Sequence, residues 1–282
     1  MNDIMASQSS AIARFRKLHK SGCFVLPNPW DVGTAIYLEH LGFEALATTS
    51  AGFAFSKGLP DSVAVVTRDA MLAHVKEIAQ ATNLPVNADF QNGYADEPEG
   101  VATSVALCVA TGVAGLSIED ASGNRSNPLY EFGLAVERIK AARAAIDASG
   151  VPVVLTARCE AWLVGQPDPL RVSLERLVAF ADAGADCLYA PGVRDHGEIA
   201  SIVKAVSPKP VNVLVSAPGD LSVSRLRDLG VRRVSVGGAL ARVAWGAFIR
   251  AARSIKETGS FDSLGDAPQH SEINELFIHR NG

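Results

Sequence analysis

A closed (β/α)8 barrel is the fold this sequence predicts, and three observations predict it. Eight short apolar runs alternate with eight helical stretches at a spacing of about thirty residues, the rhythm of parallel βαβ units. Hydrophobic residues make up 48% of the chain while aromatics make up only 6%. A core built of Ala, Val and Leu is the composition of parallel strands buried beneath helices. The first strand is followed by Asn28-Pro29-Trp30-Asp31. An open doubly wound sheet, the runner-up, would place a Gly-rich phosphate turn there.

The elements follow in order. Ser7 to Lys20 reads as an amphipathic helix leading into a first strand, Cys23 to Pro27. Asp31 is placed to cap a helix running to Leu41, because its carboxylate can accept orphan N–H groups of the first turn. Glu44 to Thr49 is the second strand, and Ser50 to Asp61 is too rich in Gly for regular structure and reads as a loop over a site. Thr67 to Thr82 is a helix, Pro85 to Phe90 the third strand, Glu97 to Thr111 a helix, and Gly115 to Glu119 the fourth strand. After a polar loop come a helix from Gly133 to Ala148, a fifth strand from Pro152 to Arg158, and a helix from Pro169 to Ala183. The sixth strand is Asp186 to Ala190, then a helix from His196 to Val206 and a seventh strand from Pro210 to Val215. Ser222 to Leu229 is a short helix, Val231 to Val236 the eighth strand, and Ala239 to Glu257 a long helix. The chain thus divides into a barrel over residues 1–258 and an appendage over 259–282. In the appendage, Ser271 to His279 is a terminal helix whose Ile273, Leu276, Phe277 and Ile278 must be covered, as on a neighbouring subunit.

Bulk properties exclude several classes. A net charge of −4 without a long basic run argues against a nucleic-acid partner. The uncharged run from Gly100 to Ile118 contains Gly and Thr and splits into a helix and a strand, so it is not read as a membrane span. Cys23, Cys108, Cys159 and Cys187 have no paired spacing and read as reduced thiols of a cytoplasmic protein.

In a barrel of this kind, chemistry sits at the C-terminal ends of the strands. Ser50 and Asp61 follow the second strand, Asn87 and Asp89 lie on the third, Glu119 ends the fourth, Arg158 ends the fifth, and Asn212 lies in the seventh. Carboxylates facing one cavity repel unless a cation joins them, and oxygen ligands of this kind suit Mg2+. Arg158 offers a planar fork to a substrate carboxylate. The pattern describes a site for a small, multiply anionic molecule. Each group has a structural alternative: Asp61 a turn or cap, Glu119 a loop cap, and Arg158 a partner for carboxylates of the mouth. One shared site accounts for all of them at once.

The loop SAG followed by GLPD, the strand NADFQNGY, the strand end IED, the segment ARCEAW and the stretch VRRVSVGGALAR occur in register. Over residues 10–258 they resemble the isocitrate lyase / phosphoenolpyruvate mutase superfamily. The resemblance implies a (β/α)8 barrel, Mg2+ (or Mn2+), enolate chemistry on 2-oxo acids, and tetramers that exchange a C-terminal helix. It also implies roles: Ser50, Ala51 and Gly52 at the substrate carboxylate and oxo group, Asp61, Asp89 and Glu119 around the metal, and Arg158 on the carboxylate. Asn212 joins the substrate-binding set. Three departures stand out. Asn87 replaces an acidic residue, GNRSNP at 123–128 replaces the gating motif with its Cys, and Ala190-Pro191-Gly192 replaces a Glu-bearing strand end. Without that Cys, isocitrate-type cleavage lacks its acid/base. A Mg2+-dependent oxaloacetate decarboxylase-like lyase is therefore the expected function. Phosphonopyruvate or phosphoenolpyruvate mutation or hydrolysis, a 2-hydroxy-dicarboxylate lyase, and a dicarboxylate-binding barrel without catalysis are the alternatives.

Overall fold

The computed structural model describes residues 2–278. Its eight strands are β1 (Phe24–Leu26), β2 (Leu46–Ala47), β3 (Val86–Asp89), β4 (Gly115–Glu119), β5 (Val154–Arg158), β6 (Cys187–Tyr189), β7 (Val211–Leu214) and β8 (Arg233–Ser235). All neighbours pair in parallel, in the order β1-β8-β7-β6-β5-β4-β3-β2. The remaining seam is bridged by the Ala47 N–H, which donates to Pro27 O at 3.0 Å. The predicted (β/α)8 barrel is the fold of this chain.

The helices are α1 (Asn2–Leu18), α2 (Val32–His40), α3 (Ser50–Ser56), α4 (Arg68–Ala81), α5 (Pro98–Val109), α6 (Phe132–Ser149), α7 (Pro169–Asp182), α8 (His196–Val206), α9 (Val223–Asp228), α10 (Ala239–Thr258) and α11 (His270–Ile278). Asp31 caps α2 as expected: its carboxylate accepts from Thr34 N–H, and Thr34 Oγ1 accepts in return from the Asp31 N–H. One expectation is corrected. Ser50–Ser56 is a helix, not a loop, because Thr49 Oγ1 accepts from Gly52 N–H and caps the first turn. Burial of Phe53 and Ala54 then outweighs the helix penalty of Gly52. The Phe53 ring stacks on His74 with centroids 4.1 Å apart.

By contacts the chain forms two compact units, Met1–Gly238 and Ala239–Gly282. In the first, the barrel interior is closed at the N-terminal ends of the strands by α1. Phe15 is fully buried there, and His19 meets Phe15 and Phe24 edge-on. Gly115 is required at this level, since a Cβ would stand 2.7 Å from the Phe15 ring and 2.8 Å from Asn87 Oδ1. The second unit consists of α10, a short 3-10 helix at Asp262–Leu264, and α11. It exposes Val243, Trp245, Phe248, Ile249, Phe261, Ile273 and Ile278. No described helix is long and apolar enough to cross a membrane.

Candidate active site

The third strand runs into a tight turn that builds the mouth. Gln91, Gly93 and Tyr94 all adopt positive φ (45°, 77° and 57°). For the two non-glycine residues that is strain of about 1–3 kcal/mol each, held only where the surroundings impose it. What imposes it is visible. The Glu119 N–H donates to Gln91 O at 2.9 Å, Tyr94 N–H donates to Asn92 Oδ1 at 3.0 Å, and the Gln91 amide donates to Asp61 Oδ1 at 3.1 Å. The turn therefore ties the end of β4 and the Asp61 segment to the end of β3.

A cavity of 210 Å³ opens here, and Ser50, Ala51, Asp61, Asp89, Arg158 and Asn212 line it. Glu119 is not among the described lining residues, but its Oε2 stands 3.2 Å from Nη2 of Arg158, which is one of them. Gly52 lies buried in the first turn of α3 behind it. The N–H groups of Ser50 and Gly52 are already engaged, donating to Asp89 Oδ2 at 2.9 Å and to Thr49 Oγ1 at 3.2 Å. The Ser50 hydroxyl is engaged as well, hydrogen-bonded to the Asp61 carboxylate, which leaves Ala51 as the residue of this segment open to a ligand.

Arg158 is the hub. It is paired with Glu119 in the β4–β5 register, so both side chains leave the barrel at the same level. Its Nη1 donates to Asp89 Oδ1 at 2.7 Å and its Nε to Glu160 Oε1 at 2.9 Å, and its Nη2 lies 3.2 Å from Glu119 Oε2. The guanidinium carbon stands 5.0 Å from the Tyr189 ring centroid. Burial alone would lower the pKa of Arg158, but Glu160, Glu119 and Asp89 together hold it well above its ordinary value. Glu119 is raised well above the ordinary carboxylate range by burial, against the pull of Arg158 and with the push of Glu160, Asp89 and Asp61. Burial and then the charge of Asp89 raise Asp61 as well, against hydrogen bonds from Ser50 and Gln91.

Behind Arg158 runs a chain of buried polar groups. Asp120 Oδ1 accepts from Glu160 N–H at 2.8 Å, and Asp120 Oδ2 from Arg176 Nη1 at 3.0 Å. Arg176 Nη2 donates to Tyr130 O at 2.7 Å. Asn28, at the end of β1, closes the seam beside the cavity: its amide donates to Thr48 O, and its Oδ1 accepts from Val236 and Gly237 N–H. Sequence reasoning assigned no role to Asn28, Glu160, Tyr189 or Arg233. The signal for Arg233 was present, since it sits two residues before Ser235 on one face of an apolar strand.

Among the described residues no three His, Cys, Asp or Glu side chains converge as a ready-made metal cluster. The cation that sits among the mouth carboxylates is Arg158. The donor chemistry nevertheless fits a hard divalent ion. Asp61, Asp89 and Glu119 offer only oxygen, the charge of Asp89 raises the proton affinity of both Asp61 and Glu119, and the buried Asn87 Oδ1 on the same cavity wall has no hydrogen-bond partner. Mg2+ takes few protein ligands and keeps several waters. The loop that replaces the gating motif is a closed polar turn. The Ser122 N–H donates to Pro128 O, and Ser126 N–H donates to Asn124 Oδ1. Cys159 is buried, 3.4 Å from Ser173 Oγ, and burial pushes its thiol up, so it is not an available acid/base.

Fold and site together define a barrel enzyme whose mouth gathers acidic side chains around one arginine. The chain belongs to the phosphoenolpyruvate phosphomutase family, whose model matches residues 15–256, and with it to the isocitrate lyase / phosphoenolpyruvate mutase superfamily of lyases and phosphomutases. A candidate lyase/mutase from Burkholderia cenocepacia J2315 is 50% identical, with a TM-score of 0.92 over 96% of this chain and 97% of that one. The structure of oxaloacetate acetylhydrolase with its product oxalate is 25% identical, with a TM-score of 0.85 over 97% and 96% of the two chains. An uncharacterised protein of Mycobacterium tuberculosis is 35% identical over 86% of this chain and 89% of that protein.

Proposed function

We propose that this enzyme is a Mg2+-dependent lyase that removes CO2 from a small 2-oxo diacid, with oxaloacetate as its substrate. The observation that carries the reading is Arg158. Asp89, Glu119 and Glu160 take three of its five N–H groups and hold the guanidinium in one orientation at the wall of a 210 Å³ cavity, which leaves one N–H on each Nη for a substrate carboxylate. Mg2+ bound by Asp61, Asp89 and Glu119 would act as a Lewis acid toward the substrate's carboxylate and oxo oxygens. Arg158 fixes the substrate carboxylate, which contributes by orientation, and the Ser50 hydroxyl passes its hydrogen bond from Asp61 to the substrate when the metal is bound. Glu160 holds the Arg158 fork from the side away from Asp89. Loss of CO2 requires no base to remove a substrate proton, in keeping with a cavity that no Cys or His lines among the described residues. The carbanion left behind must be protonated. Tyr189 lines the cavity with its phenol pushed up to about 12 by burial, and so keeps its proton at neutral pH.

The test is proton exchange. With Mg2+ in D2O, the enzyme is expected to wash deuterium into the C3 position of pyruvate, because the enolate forms in the reverse direction; a C3 signal that decays no faster than in the enzyme-free control would end the reading. We further propose that residues 259–282 are an assembly element and that the enzyme is a homotetramer. The apolar side chains exposed on α10 and α11 support this. Deleting residues 260–282 is expected to lower the oligomeric state seen by light scattering, and an unchanged number of subunits per assembly contradicts the proposal.

A further inference from the structure

The two arginines of the cavity stand in opposite electrostatic situations. Arg158 carries one positive charge against three carboxylates, Asp89, Glu119 and Glu160. Arg233 is 2% exposed and lines the same cavity, and its partners are all neutral. Its Nε donates to Asn212 Oδ1 at 2.9 Å and its Nη2 to Thr156 Oγ1 at 3.0 Å, and its Nη1 lies 3.3 Å from His19 Nε2. His19 is neutral, because its Nδ1 must donate to Phe15 O at 2.8 Å, which leaves Nε2 as an acceptor for Arg233. A buried cation without a counter-ion costs several kcal/mol. The fold nevertheless keeps one at the cavity floor.

The three neutral partners also fix direction. They grip the guanidinium from β7, β5 and the turn after α1 and leave two of its five N–H groups without an acceptor among the described residues. On the same wall the buried Asn87 Oδ1 lacks a donor. The cavity is therefore polarised, with an excess of carboxylate at its mouth and an excess of positive charge at its floor. A ligand with one anionic end would leave one of these two regions uncompensated. A ligand with two would match both, given a divalent cation at the mouth.

We propose that Arg233 is a specificity-determining residue that binds the second, distal anionic group of the substrate, so that the site selects 2-oxo diacids over 2-oxo monoacids. This rests on the reading of the site as a 2-oxo acid site and adds what that reading leaves open, namely which group recognises the far end of the molecule. Arg158 and the mouth hold the carboxylate next to the oxo group, and Arg233, aimed by Asn212 and Thr156, takes the other.

Calorimetric titration in the presence of Mg2+ separates the possibilities, using 2-oxobutyrate as the monoanion and 3,3-difluorooxaloacetate as a dianion. The wild-type enzyme is expected to bind the dianion more tightly by about 30-fold or more, the scale on which a buried charge partner counts. Arg233→Met is expected to bring the two ligands to equal affinity, and Arg233→Lys, which keeps the charge but not the fork, to restore part of the preference. Equal affinities in the wild type, or a preference that survives in Arg233→Met, overturn the proposal. The wild-type comparison stands even if Arg233→Met fails to fold. If 2-oxobutyrate binds and the dianion binds no better, only the role of Arg233 falls. If neither ligand binds the wild type, the 2-oxo acid reading falls and takes this proposal with it.

Discussion

Asp89→Ala is expected to cut turnover by at least about a thousandfold, because loss of cation-based charge stabilisation is worth several kcal/mol in the transition state. Asp89 makes two contacts that no other residue can replace. Its Oδ1 accepts from Arg158 at 2.7 Å and its Oδ2 from the Ser50 N–H at 2.9 Å. The variant should still fold, since Arg158 retains Glu119 and Glu160 and the unpaired Ser50 N–H costs about 1–3 kcal/mol. Turnover measured against a Mg2+ titration is the check. A variant that reaches wild-type rates at wild-type Mg2+ concentrations would remove Asp89 from the metal site.

The largest effect on stability is expected from Arg176→Met. Arg176 and Asp120 form an ion pair at 3.0 Å with side-chain exposures of 10% and 2%. Removing the cation strands a buried carboxylate, and breaking such a pair costs about 3–5 kcal/mol. The loss should also be felt in the cavity, because Asp120 holds the Glu160 N–H and Glu160 holds the Arg158 fork. Urea unfolding should show a lower midpoint, and the surviving enzyme a raised KM with a smaller change in kcat. An unchanged midpoint would mean that the Asp120 chain does not support the site.

The barrel was legible because buried parallel strands are short apolar runs, and their spacing survives errors at the edges. The strands themselves are shorter than the runs: Glu44 to Thr49 shrinks to Leu46–Ala47, and Val231 to Val236 to Arg233–Ser235. Strand-end positions of Asp89, Glu119 and Arg158 were readable from the same topology, since register alone brings Glu119 beside Arg158. What the sequence could not display is how charge is shared once they meet. Arg158 was read as open to substrate, whereas it already serves three carboxylates, one of them Glu160 two residues along its own chain. The helix at Ser50–Ser56 was hidden by its Gly content, because the cap from Thr49 and the burial of Phe53 are tertiary facts. Arg233 was hidden for a related reason. A charge in an apolar strand is ordinarily turned outward, and only the closed barrel, with Asn212 and Thr156 waiting inside, reverses that.

The most direct measurement is the rate of CO2 release from oxaloacetate by wild type and by Arg158→Ala at equal Mg2+ concentration. Free Mg2+ decarboxylates oxaloacetate unaided, so the difference between the two proteins isolates what the site contributes. A wild-type rate well above that of Arg158→Ala, which should itself match the metal-only background, is the expected result, with isocitrate and 2-methylisocitrate left uncleaved. Equal rates for the two proteins, or release of glyoxylate from isocitrate by the wild type, would contradict it.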